Sequence, residues 1–302
     1  MNKLPLGVDT KNLINDLRLI SWEASDLLLY YSRVPKKLGN RVKIAGNNSN
    51  WDPVTVADLK VNELIISKIK ESYKVTNWGL LSEENAKIST KRLVFKTKWL
   101  WVIDPLDGTK DFIQGTGNYA MHLALNYENK PFLGLVLIPE KNELWITDGE
   151  KVWGEKKDGT CLHPRNLNNT TLKEMRLVTS KNHGNKNLEK LIDKLDCKEV
   201  KIMGSIGCKI ASIIRGESDI YISLSLPGKS APKDWDFAAP HALLKAAGGA
   251  ITNLDNQELI YNNSNFEQRG VIIATSNRKN HKEICSQVKK IIEEFNIYPL
   301  KS

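Results

Sequence analysis

Nothing in this sequence of 302 residues approaches the ~18 consecutive apolar residues that a membrane-spanning helix requires. Its opening residues, MNKLPLGVDTKNLINDL, hold neither an apolar core nor a small-residue cleavage site. A secretory leader is therefore not expected, and the cytoplasm is the expected compartment. Cysteine is scarce and scattered: Cys161, Cys197, Cys208 and Cys285 form no C-x-x-C pair. That argues against a zinc cluster or a disulfide framework and leaves reduced packing residues. Basic blocks are missing too. Lys and Arg number 44 against 35 Asp and Glu, a net charge of +9, yet the cations are spread along the chain. Such a surplus suits an ordinary Lys- and Asn-rich surface or a small anionic partner. Nucleic acid is not expected, because no basic stripe with interleaved aromatics is present. Repeats and low-complexity tracts are also absent.

What remains is a composition of ordinary globular type, 41% apolar and 26% charged, on a chain long enough for one large domain or two compact ones. Leu13, Ile14, Leu17 and Ile20 recur at helical spacing and predict a helix over 11–31. Val61, Leu64, Ile65 and Ile69 do the same for a second helix from Thr55 to about Ser72. WLWVI (99–103), FLGLVLI (132–138), ELWIT (143–147), MRLVT, DIYIS and GVIIA read as strands. DWDFAAPHALLKAAGG reads as a strand exit feeding a helix that a Gly-Gly pair ends. Strands in both halves with helices between them predict a layered α/β fold. The Gly-, Asn- and Thr-rich passage from Gly154 to Leu172 is the expected boundary, giving halves of about 1–160 and 161–302.

Four short stretches concentrate acids: DPVTVAD ending at Asp58, LLSEEN with Glu83 and Glu84, WLWVIDPLDGTKDF with Asp104, Asp107 and Asp111, and DWD with Asp234 and Asp236. Each has a plain explanation. Thr55 and Asp58 fit a helix-capping box, Glu83-Glu84 a solvated loop, and Asp236 a cap for a helix from Phe237. None of these accounts for Asp104 and Asp107, which leave a strand together. Pro105 bars the ladder there, so a turn is expected at once, and Gly108 permits close backbone approach. Two carboxylates and the Thr109 hydroxyl then share a small space, which is costly unless a cation joins them. Hard oxygen donors select Mg²⁺, Ca²⁺ or Mn²⁺, and the absence of histidine from the four stretches argues against zinc. Acids with overall basicity suggest metal-assisted chemistry on a phosphorylated substrate.

Other phosphate motifs fail on inspection. PGKS at 227–230 has Ser223 where a P-loop needs its first glycine, and Gly204, Gly207 and Gly248 form no G-x-G-x-x-G. A haloacid-dehalogenase-type phosphatase needs an aspartate where Pro105 stands.

In order, DPVTVAD, LSEEN, WVIDPLDGTKDF and WDFAAPHALLKAAGG closely resemble the signatures of the lithium-sensitive, Mg²⁺-dependent phosphatase superfamily that includes inositol monophosphatase. The resemblance runs over residues 10–275. Lys110-Asp111, the SKNH stretch ending at His183, and GSIGCK (Gly204 to Lys209) are most similar to the 3'(2'),5'-bisphosphate nucleotidase branch. Asp111, Asn85 and Phe237 stand where Glu, Ser or Asp, and Thr are usual. The resemblance implies an α-β-α-β-α sandwich and a Mg²⁺-dependent, lithium-sensitive enzyme. It would convert 3'-phosphoadenosine 5'-phosphate to AMP and phosphate, in sulfate assimilation or nucleotide recycling. It also implies one Mg²⁺ on Glu83, Asp104 and the Leu106 carbonyl, a second on Asp104, Asp107 and Asp236, and a weaker third near Glu83 and Asp58. Thr109, oriented by Asp58 or Glu84, would position the attacking water, and the Gly108 and Thr109 amides would contact the phosphate. Gly204, Ser205, Lys209 and His183 would take the nucleotide, with Lys209 on its 5'-phosphate. An inositol or sugar phosphatase of the same superfamily is the alternative, and a non-catalytic anion- or RNA-binding protein, suggested only by net charge, the remote one. His122, His163, His241 and His281 read as structural or exposed, and Trp235 as a packing wedge.

Overall fold

The structure is a computed structural model that describes residues 4–5, 7–33, 55–89, 93–165, 171–180 and 185–300. Helix α1 (Thr10–Arg33) and helix α2 (Val56–Ser72) form where the apolar spacing placed them, to within a turn at each end. Thr55 and Asp58 close a capping box at the start of α2. Seven strands then make one sheet in chain order: β1 (Gly79–Ser82), β2 (Trp99–Asp107), β3 (Ala120–Tyr127), β4 (Lys130–Ile138), β5 (Glu143–Thr147), β6 (Val152–Glu155) and β7 (Cys161–Leu162). β1 and β2 run parallel and every later neighbour pairs antiparallel. Two short helices interrupt the series, α3 (Glu83–Ile88) after β1 and α4 (Thr109–Gln114) after β2.

The second sheet has the order β11-β12-β10-β8-β9, formed by β8 (Arg176–Ser180), β9 (Glu199–Met203), β10 (Ile220–Ser225), β11 (Ala250–Asn253) and β12 (Gly270–Thr275). Helices α5 (Lys186–Leu195), α6 (Ile206–Ile214), α7 (Asp234–Ala246) and α8 (Arg278–Glu294) complete the chain.

Alternation along the strands sorts side chains into three cores. Trp101, Ile103, Leu123 and Leu135 face α1 and α2. Their neighbours Leu100, Val102, Ala124 and Val136 face α6 and α7, which also receive Val178, Tyr221 and Ile272 from the second sheet. On the far side of that sheet, Leu177, Ile222 and Ile273 meet α5 and α8. The layers run α-β-α-β-α, the expected architecture. We propose that the passage between β7 and β8 divides the chain into halves, although α7 from the later half packs on strands β3 and β4 of the earlier one.

One local expectation is corrected. The chain does not turn at Pro105: β2 continues to Asp107, and pairing with β3 slips between Asp104 and Asp107. A proline costs the ladder one donor, and a bulge absorbs that loss without ending the strand. The turn comes at Gly108, whose φ of +88° is one that glycine adopts without strain.

Candidate active site

Asp104 and Asp107 leave the end of β2, and Asp236 stands in the first turn of α7. One carboxylate oxygen from each lies within 4.8 Å of the others. Asp104 is buried and accepts the Leu106 amide at 3.0 Å. Burial first, then the charges of Glu83, Asp107 and Asp236, hold its pKa well above the usual carboxylate range. Glu83 opens α3, near enough to act on Asp104 by its charge, and lines the same cavity, while the three acids that gather within 4.8 Å are Asp104, Asp107 and Asp236.

Asp107 is held by the N-terminus of α6. Its Oδ2 accepts from Ser205 Oγ at 2.7 Å, the Ile206 amide at 2.5 Å and the Gly207 amide at 3.4 Å. These are unsatisfied donors of a helix start, where a negative charge is favoured. Asp236 accepts the Lys233 amide at 2.6 Å as the third residue of α7. Two expectations are corrected here: D-W-D is the first turn of α7 and no strand exit, and Asp236 is not the N-cap of a helix from Phe237 but the third residue of one that begins at Asp234 after Lys233. Capping and convergence coexist here, as they do at Asp58.

Asp58 is fully buried. Its Oδ2 accepts from the Thr55 amide at 2.8 Å and from the Thr55 hydroxyl, while Thr109 Oγ1 lies 3.4 Å from Oδ1. Burial pushes its pKa up to about 7 against those hydrogen bonds, and the charge of Glu84 adds to the rise. Thr109 Oγ1 is also 3.1 Å from the Leu106 carbonyl. Glu83 and Glu84 are not in a solvated loop. They begin α3 under a Ser82 cap, Glu84 is buried, and Lys87 pairs with them at 2.8 and 3.3 Å.

Lys209 is buried, and its ammonium donates to the carbonyls of Gly204 at 2.7 Å and Ser205 at 3.2 Å, 5.4 Å from the centre of the Tyr221 ring. Burial lowers its pKa, opposed by Asp107, Asp111 and Asp236. Gly204 packs where a Cβ would stand 2.3 Å from the Asn118 carbonyl. His183 lies outside the described residues. A cavity of about 1030 Å³ opens over the acids and runs along β10 to the 229–233 loop. Glu83, Asp104, Leu106, Asp107, Gly108, Thr109, Gly204, Ser205, Lys209 and Asp236 all line it. That is room for a nucleotide-sized ligand.

Sequence reasoning missed two neighbours of the acids. Lys87 follows Glu83 and Glu84 by four and three residues, a spacing that could have flagged the pairing. His122, read only as structural or exposed, is fully buried with Nε2 3.3 Å from Asp107 Oδ2. A polar residue inside the apolar run of β3 was its only signal.

Five layers with an acid-lined cavity at the exit of β2 define a phosphatase architecture that comparison with known proteins identifies. Residues 12–293 match the inositol monophosphatase family, and the chain belongs to it. Among curated relatives, the 3'(2'),5'-bisphosphate nucleotidase CysQ of Aggregatibacter actinomycetemcomitans is 30% identical over 84% of this chain and 88% of its own length. That of Escherichia coli K12 is 28% identical over 69% and 79%. The match to the Buchnera aphidicola protein of the same name is 32% identical but spans only 57% of that relative. Solved structures share the fold. An inositol monophosphatase from Zymomonas mobilis superimposes with a TM-score of 0.70 at 21% identity, over 95% of this chain and 99% of its own. CysQ from Bacteroides thetaiotaomicron gives 0.63 at 24%, over 84% and 94%. Among the described residues, no helix is long and apolar enough to cross a membrane.

Proposed function

We propose that this protein is a Mg²⁺-dependent phosphatase that removes the 3'-phosphate of adenosine 3',5'-bisphosphate, releasing AMP and phosphate. The observation that carries the reading is the convergence of Asp104, Asp107 and Asp236 within 4.8 Å, at the floor of a nucleotide-sized cavity. The choice of substrate is supported by relatives that bear the bisphosphate nucleotidase name.

The donors fit a hard divalent ion. They are carboxylate and carbonyl oxygens with no sulfur or nitrogen among them, and burial, with the charges of the neighbouring acids added to it, holds Asp104's pKa well above the carboxylate range. Glu83, Asp104 and the Leu106 carbonyl would hold one Mg²⁺, and Asp104, Asp107 and Asp236 a second, with a weaker third near Glu83 and Asp58. Bound there, the ions supply charge neutralisation for the phosphoryl group and a more acidic water. The remaining work belongs to the chain. The Thr109 hydroxyl has Asp58 and Leu106 as acceptors for its single proton, so its lone pairs are left to orient a water. Asp58, with a pKa of about 7, can take up a proton passed through Thr109 near neutral pH. Glu84 raises Asp58 by its charge and so tunes that step. The Gly108 and Thr109 amides would contact the phosphate, on backbone kept clear of side chain by Gly108. Lys209 spends two of its three N–H groups on Gly204 and Ser205, fixing that turn, and the third is left for the 5'-phosphate. No nucleophilic side chain is needed, since phosphoryl transfer depends on positioning and charge.

Phosphate release from adenosine 3',5'-bisphosphate and from inositol 1-phosphate, each with Mg²⁺, tests the reading. Preference for the bisphosphate is expected, with inhibition by Li⁺. Preference for the inositol phosphate would move the protein to the monophosphatase branch, and no release from either would remove the enzymatic reading.

A further inference from the structure

His122 lies on β3 in register with Asp104 and is fully buried. Its ring stands between two oxygens: Nδ1 is 3.2 Å from the Trp235 carbonyl and Nε2 is 3.3 Å from Asp107 Oδ2. The second approach lacks the alignment of a full hydrogen bond, so a buried ring nitrogen is aimed at the acid cluster without another partner. The slot it fills exists because residue 207 is glycine. A Cβ there would stand 2.2 Å from His122 Nε2 and 2.8 Å from Val136 Cγ1.

The two groups that His122 touches belong to the two elements that supply the acids. Asp107 ends β2, and Trp235 precedes Asp236 in α7. Asp107 itself is held from one side. Oδ2 takes the hydroxyl of Ser205 and the amides of Ile206 and Gly207, with His122 as a fourth neighbour, whereas among the described residues no hydrogen bond reaches Oδ1. One oxygen is anchored and the other is presented to the cluster.

We infer that His122 is a positioning residue for the cation site: its ring spans from α7 to Asp107 and fixes the separation of Asp107 from Asp236. The inference rests on the metal site proposed above. It depends on the reach of the ring, because both contacts lie on opposite nitrogens of one rigid plane. Outer partners of this kind are typically worth about 10- to 100-fold in metal affinity.

The test is Mn²⁺ affinity of the substrate-free, metal-stripped protein, read from the loss of the free-ion EPR signal. Mn²⁺ shares the oxygen preference of Mg²⁺. His122→Leu, which keeps bulk and loses both nitrogens, should weaken binding about 10-fold or more. His122→Gln, whose amide can reach Asp107 but cannot hold the Trp235 carbonyl as well, should recover only part of that loss. Val136→Ala, beside Gly207, controls for loosened packing and should lower Tm with little change in affinity. Affinity of His122→Leu within about twofold of wild type would overturn the inference. So would a His122→Gln that binds as tightly as wild type, or a Val136→Ala that weakens binding as much as Leu does. If His122→Leu does not fold, His122→Asn, too short to span both oxygens, takes its place under the same limits. A wild type that binds no Mn²⁺ would overturn the metal site itself, an outcome distinct from failure at His122.

Discussion

Asp104 receives negative charge from Glu83, Asp107 and Asp236 while sealed from water. An unfolded aspartate ionises at its ordinary pKa; this one must stay protonated or face its neighbours as an ion. Stability is given up at that position for the sake of the site. Asp104→Asn removes the charge at nearly constant volume and should raise the stability of the metal-free protein at pH 7 by about 1 kcal/mol or more. The same change should abolish phosphate release and any stabilisation by Mg²⁺. Chemical denaturation with and without Mg²⁺ reads both effects. A variant less stable than wild type without metal would show that the carboxylate is already compensated within the protein.

Capping decides the geometry at the level of elements. Asp58 serves α2 through the Thr55 box and serves the site through Thr109, so one carboxylate does two jobs with its two oxygens. Thr55→Ala should cost about 1 kcal/mol of stability as a lost cap. It should also shift activity. The Thr55 hydroxyl, with the Thr55 amide that alanine keeps, holds Asp58 below where burial alone would put it, so loss of the hydroxyl raises its pKa further, and the acidic limb of the kcat profile should move to higher pH. A stability loss with an unmoved limb would leave Asp58 as a cap only. These elements also show what was legible in the sequence. α1, α2, α7 and β5 follow from periodicity and caps, because their signals are local. The acids of β2 were legible because a strand exit, a proline and a glycine place them within four residues. The anchoring of Asp107 by α6 was not, since Ser205 lies 98 residues away and only the folded chain joins them. β3 was passed over although it is almost wholly buried, its apolar run being broken by His122 and Asn126. Pro105 misled for the opposite reason: a strong local rule was overridden by a bulge in a well-paired sheet.

At the scale of the molecule, the acids come from three segments that pack only in the folded state: α3 after β1, the end of β2, and α7 in the middle layer. The unfolded chain has no comparable site, so a cation that binds there stabilises the whole fold by linkage, about 2.7 kcal/mol at 100-fold excess over Kd. For a chain of this size that corresponds to a rise in Tm of roughly 5 °C. The sign of its pH dependence follows from the raised acids. Asp58, at about 7 when folded against 3.8 in the reference state, and Asp104, also raised, bind more protons folded than unfolded across that interval. Their contribution is full below 3.8 and is lost as pH rises through the folded values, so the metal-free protein loses stability from this source toward neutral pH. A divalent ion competes with those protons and displaces them on binding. The Mg²⁺-induced rise in Tm should therefore be larger at pH 8 than at pH 6, and titration with Mg²⁺ at pH 6 should release protons into the buffer. Calorimetry in two buffers of different ionisation enthalpy measures that release directly. A gain in Tm independent of pH, with no proton release, would mean that the ion binds away from Asp58 and Asp104, and the convergence of acids at the end of β2 would then have to be neutralised within the protein, by cations such as Lys87 and Lys209.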